Sequence, residues 1–109
     1  MIRASVVVFL ILLLSGCSKP LPENKQAYVG FWTSPEMRLL IVSDGTVDYE
    51  RIKNGGTTTI NAPLKAFEGD DFIVGIGFFD TRFVVSQTPQ LIDGKWVMTV
   101  DGVTLTKQE

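Results

Sequence analysis

An all-β domain is the fold class this sequence predicts: a small antiparallel meander of about eight short strands, closed or partly open as a barrel, with a β-sandwich or roll as the alternative. Three observations carry that prediction. Beyond residue 28 the chain is punctuated by the turn pairs Asp44-Gly45, Asn54-Gly55, Asp93-Gly94 and Asp101-Gly102. Glycine accepts the positive φ that tight hairpins demand. The first two pairs stand ten residues apart and the last two eight, the spacing of successive hairpins. Between them run short stretches in which apolar and polar residues alternate, as in half-buried strands. No segment beyond the first residues has the period of an amphipathic helix, and Glu23 to Tyr28 has room for a single turn.

The amino terminus is of another kind. Met1-Ile2-Arg3 gives a positively charged start, and Ala4 to Leu14 follows with no charge and one hydroxyl. Eleven helical residues reach only about 16 Å, whereas a bilayer core of about 30 Å needs about 20 apolar residues. The run therefore fits the apolar segment of a secretory signal rather than a permanent span. Small residues, Ser15 and Gly16, come next, and then Cys17, the one cysteine in the chain.

Leu14-Ser15-Gly16-Cys17 resembles the lipobox of bacterial lipoprotein precursors: leucine, two small residues, cysteine. The resemblance implies that Cys17 receives a diacylglycerol on its thiol and that the signal is cut between Gly16 and Cys17. Residues 1–16 are then the signal, 17–27 a lipidated tether and 28–109 the globular domain. Two or more acyl chains hold a protein on a membrane firmly where one holds it marginally. Ser18 to Gln26 reads as a linker, since Pro20 and Pro22 favour an extended chain; nine residues would reach roughly 30 Å. Ser18 resembles an outer-membrane address, because in enteric-type bacteria an aspartate at that position retains a lipoprotein in the inner membrane. The expected location is the cell envelope, outer membrane, facing the periplasm.

Within the domain, strands are expected near 29–34, 37–42, 47–53, 57–61, 72–78, 82–87, 95–100 and 103–107. A three-residue loop, Ser43-Asp44-Gly45, places Met37, Leu39 and Ile41 opposite Arg51, Tyr49 and Val47. It also sets Arg38 across from Glu50, a favourable pair. Thr57 to Ile60 forms the next strand and Pro63 ends it. Phe72 to Phe79 is apolar on both faces, as in a strand covered on each side. Gly75 and Gly77 face the same way and leave room for a neighbouring ring or backbone, Trp32 or Trp96 being candidates, or permit sharp curvature. The last hairpin turns at Asp101-Gly102. It pairs Val100 with Val103 and Met98 with Leu105, and sets Thr99 against Thr104. Trp96, Met98, Val100, Val103 and Leu105 form its inward stripe.

The residues exclude more chemistry than they supply. The chain has no His, 10 Lys and Arg, 12 Asp and Glu, and a net charge of −2. Loss of Arg3 with the signal makes the mature chain −3. Phosphate binding needs clustered Lys and Arg, so nucleic acid is not an expected partner. With His absent and Cys17 acylated, the usual general base, the commonest metal ligand and thiol nucleophiles are missing. No enzyme activity, metal or cofactor is expected. Gly75-Ile76-Gly77 lacks the third glycine and the following helix of a dinucleotide site. Glu68-Gly69-Asp70-Asp71 is too short and irregular for an EF-type calcium loop and reads as a solvated turn.

Gly30-Phe31-Trp32 is similar to the GxW of the first strand of lipocalins, which include bacterial lipoproteins. That resemblance implies an eight-stranded barrel with Trp32 plugging one end. Trp32 and Trp96 are the candidate ligand-binding residues. Small barrel-shaped inhibitors of proteases or lysozymes are nearer in size, and that likeness is architectural only. The expected function is a non-enzymatic, membrane-anchored envelope module that binds an envelope or secreted protein. The alternative is a lipocalin-like carrier of an apolar ligand.

Overall fold

Four tight turns set the architecture before any packing does. The structure, a computed structural model, describes residues 20–108; the lipobox with Gly16 and Cys17 lies outside them. In the turns at Asn54-Gly55, Asp93-Gly94 and Asp101-Gly102 both residues take positive φ, between 49° and 79°. That is the geometry whose twist matches the flanking strands. The strands they join are β1 (Gly30–Ser34), β2 (Met37–Ile41), β3 (Thr46–Lys53), β4 (Gly56–Glu68), β5 (Asp71–Ile76), β6 (Phe79–Phe83), β7 (Val85–Ile92), β8 (Lys95–Val100) and β9 (Val103–Lys107). All belong to one antiparallel sheet in the order β6-β5-β4-β3-β2-β1-β9-β8-β7. It is a meander whose first and last strands also pair, Trp32 against Lys107 and Thr33 against Thr106. The sheet curls into a half-barrel with β6 and β7 as its two edges.

The two registers derived from turn length hold. Met37, Leu39 and Ile41 oppose Arg51, Tyr49 and Val47, and Arg38 donates to Glu50 at 2.8 Å. Val100 pairs with Val103, Thr99 with Thr104 and Met98 with Leu105. Inward residues of the curled sheet form one core. Trp32, Leu39, Val47, Val74, Met98, Val100 and Leu105 are wholly buried. Aromatic rings interlock at its centre: Phe72 stacks on Phe83 at 5.0 Å, and Tyr49 meets Phe83 edge-on at 4.8 Å.

Four expectations need correction. There are nine strands rather than eight, because the strand expected at 82–87 is the junction of β6 and β7 at Val84. Pro63 does not end β4. It pairs with Thr46 at the last position shared with β3, and from Leu64 onward the strand pairs with β5 across a bulge. Proline, which cannot donate to a ladder, thus stands where the strand changes partners. Phe72 to Phe79 is not one covered strand. Gly77, at φ 63°, turns the chain, Ile76 pairs with Phe79, and Ile76, Phe78 and Phe79 are exposed. Trp96 shares the pleat of Met98 and Val100 but lies beyond the last core layer, opposite Leu91 of the edge strand, and is 38% exposed.

The segment before β1 is also more ordered than a linker. Leu21 is buried and donates its amide to Ser43 O, and Glu23–Tyr28 is a short 3-10 helix. Tyr28 packs edge-on against Phe67 at 5.1 Å, and its hydroxyl donates to Asp70 O at 2.8 Å. Burial, with Asp70 and Asp71 nearby, pushes the phenol up to about 12, so it stays a donor at any ordinary pH.

Candidate functional site

The turns do not alternate between two ends along the whole chain, because the antiparallel β1–β9 pair requires β6 to run on into β7 through Val84 without reversing. At one end, the base, lie the 3-10 helix, Val42–Gly45, Gly69-Asp70 and Asp93-Gly94; Lys107, level with Trp32 of β1 and beside the Trp96 ring, donates there to Ala27 O. Pro35-Glu36, Asn54-Gly55 and Asp101-Gly102 lie toward the other end, and Gly77-Phe78 closes the β5–β6 hairpin at the edge of the sheet. The edges β6 and β7 are joined by Val84 alone and do not pair. Two aspartates pin that junction. Asp71 Oδ1 accepts the Val85 amide at 2.8 Å, while its Oδ2 accepts Arg82 Nε and Nη2 at 3.1 and 2.9 Å. Asp101 Oδ1 accepts the Val84 amide at 2.9 Å and the Asp101 amide donates back to Val84 O. The Val85 amide, then Arg82, hold the Asp71 carboxyl below the usual carboxylate range. The same contacts, led by Glu68, raise Arg82. The acidic run singled out in the sequence is thus a structural turn whose carboxylates serve Arg82 and Lys25.

The concave face loses its cover at two separate places. Ile76 and Phe79 continue the inward pleats of β5 and β6 to the Gly77-Phe78 turn, and Leu91 with Trp96 continue those of β7 and β8 to the Asp93-Gly94 turn at the base. These pleats end in side chains 64, 85, 59 and 38% exposed. Phe78, at the tip of its hairpin, is fully exposed, and Ile92 is 43% exposed. The Gly77-Phe78 turn is held in place: Lys65 Nζ donates to Gly77 O at 2.7 Å and to Asp80 Oδ1 at 2.6 Å. A fixed turn presenting bare aromatic rings is unusual on a soluble surface, where exposed apolar patches mark interaction sites.

The two candidate tryptophans have different fates. Trp32 is wholly buried and its indole N–H donates to Tyr28 O at 2.9 Å, so it is a core residue and contacts no open space. Trp96 is partly exposed at the base, beside the Asp93-Gly94 turn. Between them stands Lys107, its ammonium 4.9 Å from the Trp32 ring and 5.5 Å from the Trp96 ring. Its Nζ donates to Ala27 O, and burial lowers its pKa. Gly30 makes this arrangement possible, because a Cβ there would stand 2.9 Å from Lys107 Cε. The sequence reading missed Lys107 and the exposed trio Ile76, Phe78 and Phe79. The signal for the trio was present: Gly77 is a turn former between two apolar pairs.

One further concavity lies on the convex face, a shallow dish of about 340 Å³ lined by Phe31, Arg38, Leu40, Asp48, Glu50 and Thr59. Arg38 and Glu50 pair across it. Among the described residues no three His, Cys, Asp or Glu side chains converge as metal ligands do. Comparison with family models, with curated proteins and with solved structures found no match to this chain.

Proposed function

We propose that this chain is a lipid-anchored, non-catalytic docking module of the bacterial envelope. Its exposed β5–β6 hairpin binds another envelope or secreted protein. The observation that supports this reading most is the set of exposed apolar side chains Ile76, Phe78 and Phe79 at a turn that Lys65 holds in place. Because Leu21 is already docked, only Ser18 to Pro20 separate the domain from the lipidated cysteine of this reading, about 10 Å when extended. The interlocked rings of Phe72, Phe83 and Tyr49 occupy the space that a carried ligand would need, which favours docking over the carrier alternative. Outer-membrane attachment facing the periplasm follows from Ser18.

The test is a photo-crosslinking amino acid at position 78 of the full chain in a Gram-negative envelope, with position 104, on the convex face, as control. A protein adduct specific to position 78 is expected. Crosslinks to lipid alone, or equal yields at both positions, would overturn the reading.

A further inference from the structure

The two free edges of the sheet are not alike. β7 contains Pro89, which has no N–H to offer, and its register against β8 slips between Val85 and Gln87 and again between Gln87 and Gln90. Prolines and bulges are how edge strands avoid pairing with other chains. β6 has neither, and Phe79-Asp80-Thr81-Arg82-Phe83 pairs with β5 without a slip. A two-residue turn makes Ile76 and Phe79 the flanking hydrogen-bonded pair. By alternation, Phe79, Thr81 and Phe83 turn their main-chain groups toward β5, and Asp80 and Arg82 turn theirs outward. Asp80 and Arg82 are both exposed.

The outward edge is also complementary to itself. From Thr81 outward it reads charge then ring in both directions, and the two charges are opposite in sign. We propose that β6 is the interface of a two-fold homodimer, the sheets of two copies joining edge to edge with Thr81 on the axis. Asp80 of each copy then faces Arg82 of the other, each pair exchanging both main-chain hydrogen bonds, and opposite charges across a strand pair attract. Moving the axis to Asp80 or to Arg82 would set like charges against each other, so the register is specified. Both side chains are already oriented on the convex face, Asp80 by Lys65 and Arg82 by Asp71 and Glu68. Alternating charge therefore continues across the boundary. Phe79, 85% exposed in a single copy, comes to lie beside Phe83 of the second copy. The axis stands perpendicular to the sheet, so both concave faces open to the same side. Phe78, Leu91, Ile92 and Trp96 remain uncovered, and the docking reading stands whether or not the dimer forms.

Thr81→Cys tests the geometry directly. On the axis it occupies a non-hydrogen-bonded pair, with Cα atoms about 4.5 Å apart, within disulfide range. The full chain carrying Thr81→Cys is oxidised in isolated membranes and run without reductant beside the unsubstituted chain and Thr104→Cys, which lies on an interior strand. The expected result is a band of twice the mass for Thr81→Cys above the level of both controls. Adding Asp80→Arg should cut that yield by about tenfold, with circular dichroism confirming the fold. Yield no higher than the controls, or an adduct with a different protein, overturns the dimer. A band in the unsubstituted chain instead indicts Cys17 as a free thiol and sinks the anchor reading, leaving the excess at position 81 as the measure of the dimer.

Discussion

Asp71 ties two sheet edges together with one half-buried carboxylate. One carboxylate fixes the first amide of β7 and the guanidinium of β6, so the junction between the two sheet edges rests on its negative charge. Its pKa is depressed in the folded protein. Its contribution is therefore fully present above the ordinary carboxylate value of about 3.9 and is lost as pH falls through the lower folded value. Asp44, which accepts the Thr46 amide at 2.9 Å, is depressed in the same direction. Thermal stability should hold level from neutral pH down to about pH 4 and decline below it. Asp71→Asn should make that decline shallower, with Asp44 supplying the remainder, and should speed hydrogen exchange at the Val85 amide relative to Leu105. An acid limb as steep in Asp71→Asn as in the unsubstituted chain would show that the junction does not depend on this charge. Gly30 and Trp32 teach a second lesson at this scale. Trp32, which the GxW likeness singled out, is buried in the core of an open sheet. The reason Gly30 is glycine, however, is a lysine from the other end of the chain lying across it, which no local pattern reveals.

Among the elements, the β5–β6 hairpin departs most from expectation and is the one on which both proposals depend. Gly75 and Gly77 look equivalent in the sequence and are not. A Cβ on Gly75 would stand 2.0 Å from Phe79 O, a main-chain atom of the same hairpin. Neither tryptophan takes that space, and the close approach is the return strand itself. A Cβ on Gly77 would meet nothing within 4 Å, and only the positive φ restricts it. Gly75→Ala should therefore cost about 3 kcal/mol, at the upper end of overpacking, because a backbone carbonyl cannot swing aside. Gly77→Ala should cost about 1 kcal/mol. Denaturant midpoints of the two variants would check this, and equal losses would contradict the crowding argument. The other hairpins were legible because Asn-Gly and Asp-Gly announce their turns and loop length fixes register. Here the turn is built from Gly77 and Phe78, and a continuous apolar run concealed it.

For the whole molecule, the decisive feature is that the sheet nearly closes and does not. β1 and β9 pair, which turns a linear meander into a curl, and the leftover edges are joined at Val84 without pairing. The base is tied to the incoming chain by Leu21, Tyr28 and Lys25, through Ser43, Gly69 and Asp70, and the apolar side chains Ile76, Phe78 and Phe79 stand exposed at the β5–β6 turn. In the anchored reading the tied base is the end nearest the membrane. Intact-mass measurement on chain extracted from membranes should find a species beginning at Cys17 and carrying diacylglycerol, and Cys17→Ser should abolish it. Material that begins at Met1 without lipid would remove the anchor, though it would leave the exposed apolar hairpin and the β6 edge to be explained.

What the sequence determined by itself is whatever depends on neighbours along the chain. Alternation gave the all-β class, the glycine turn pairs gave two hairpin registers, and the missing His and the balance of charge narrowed the chemistry. What only the tertiary structure decided is whatever depends on how far the sheet curls. Pleat parity assigns Ile76, Phe79, Leu91 and Trp96 to the concave face, but parity cannot say where the opposing wall ends. That limit is set by the β1–β9 pairing, by the bulge at Leu64 and by the aspartate-pinned junction, which join residues far apart in the chain. These four side chains stay exposed because the curvature those contacts impose stops short of closure.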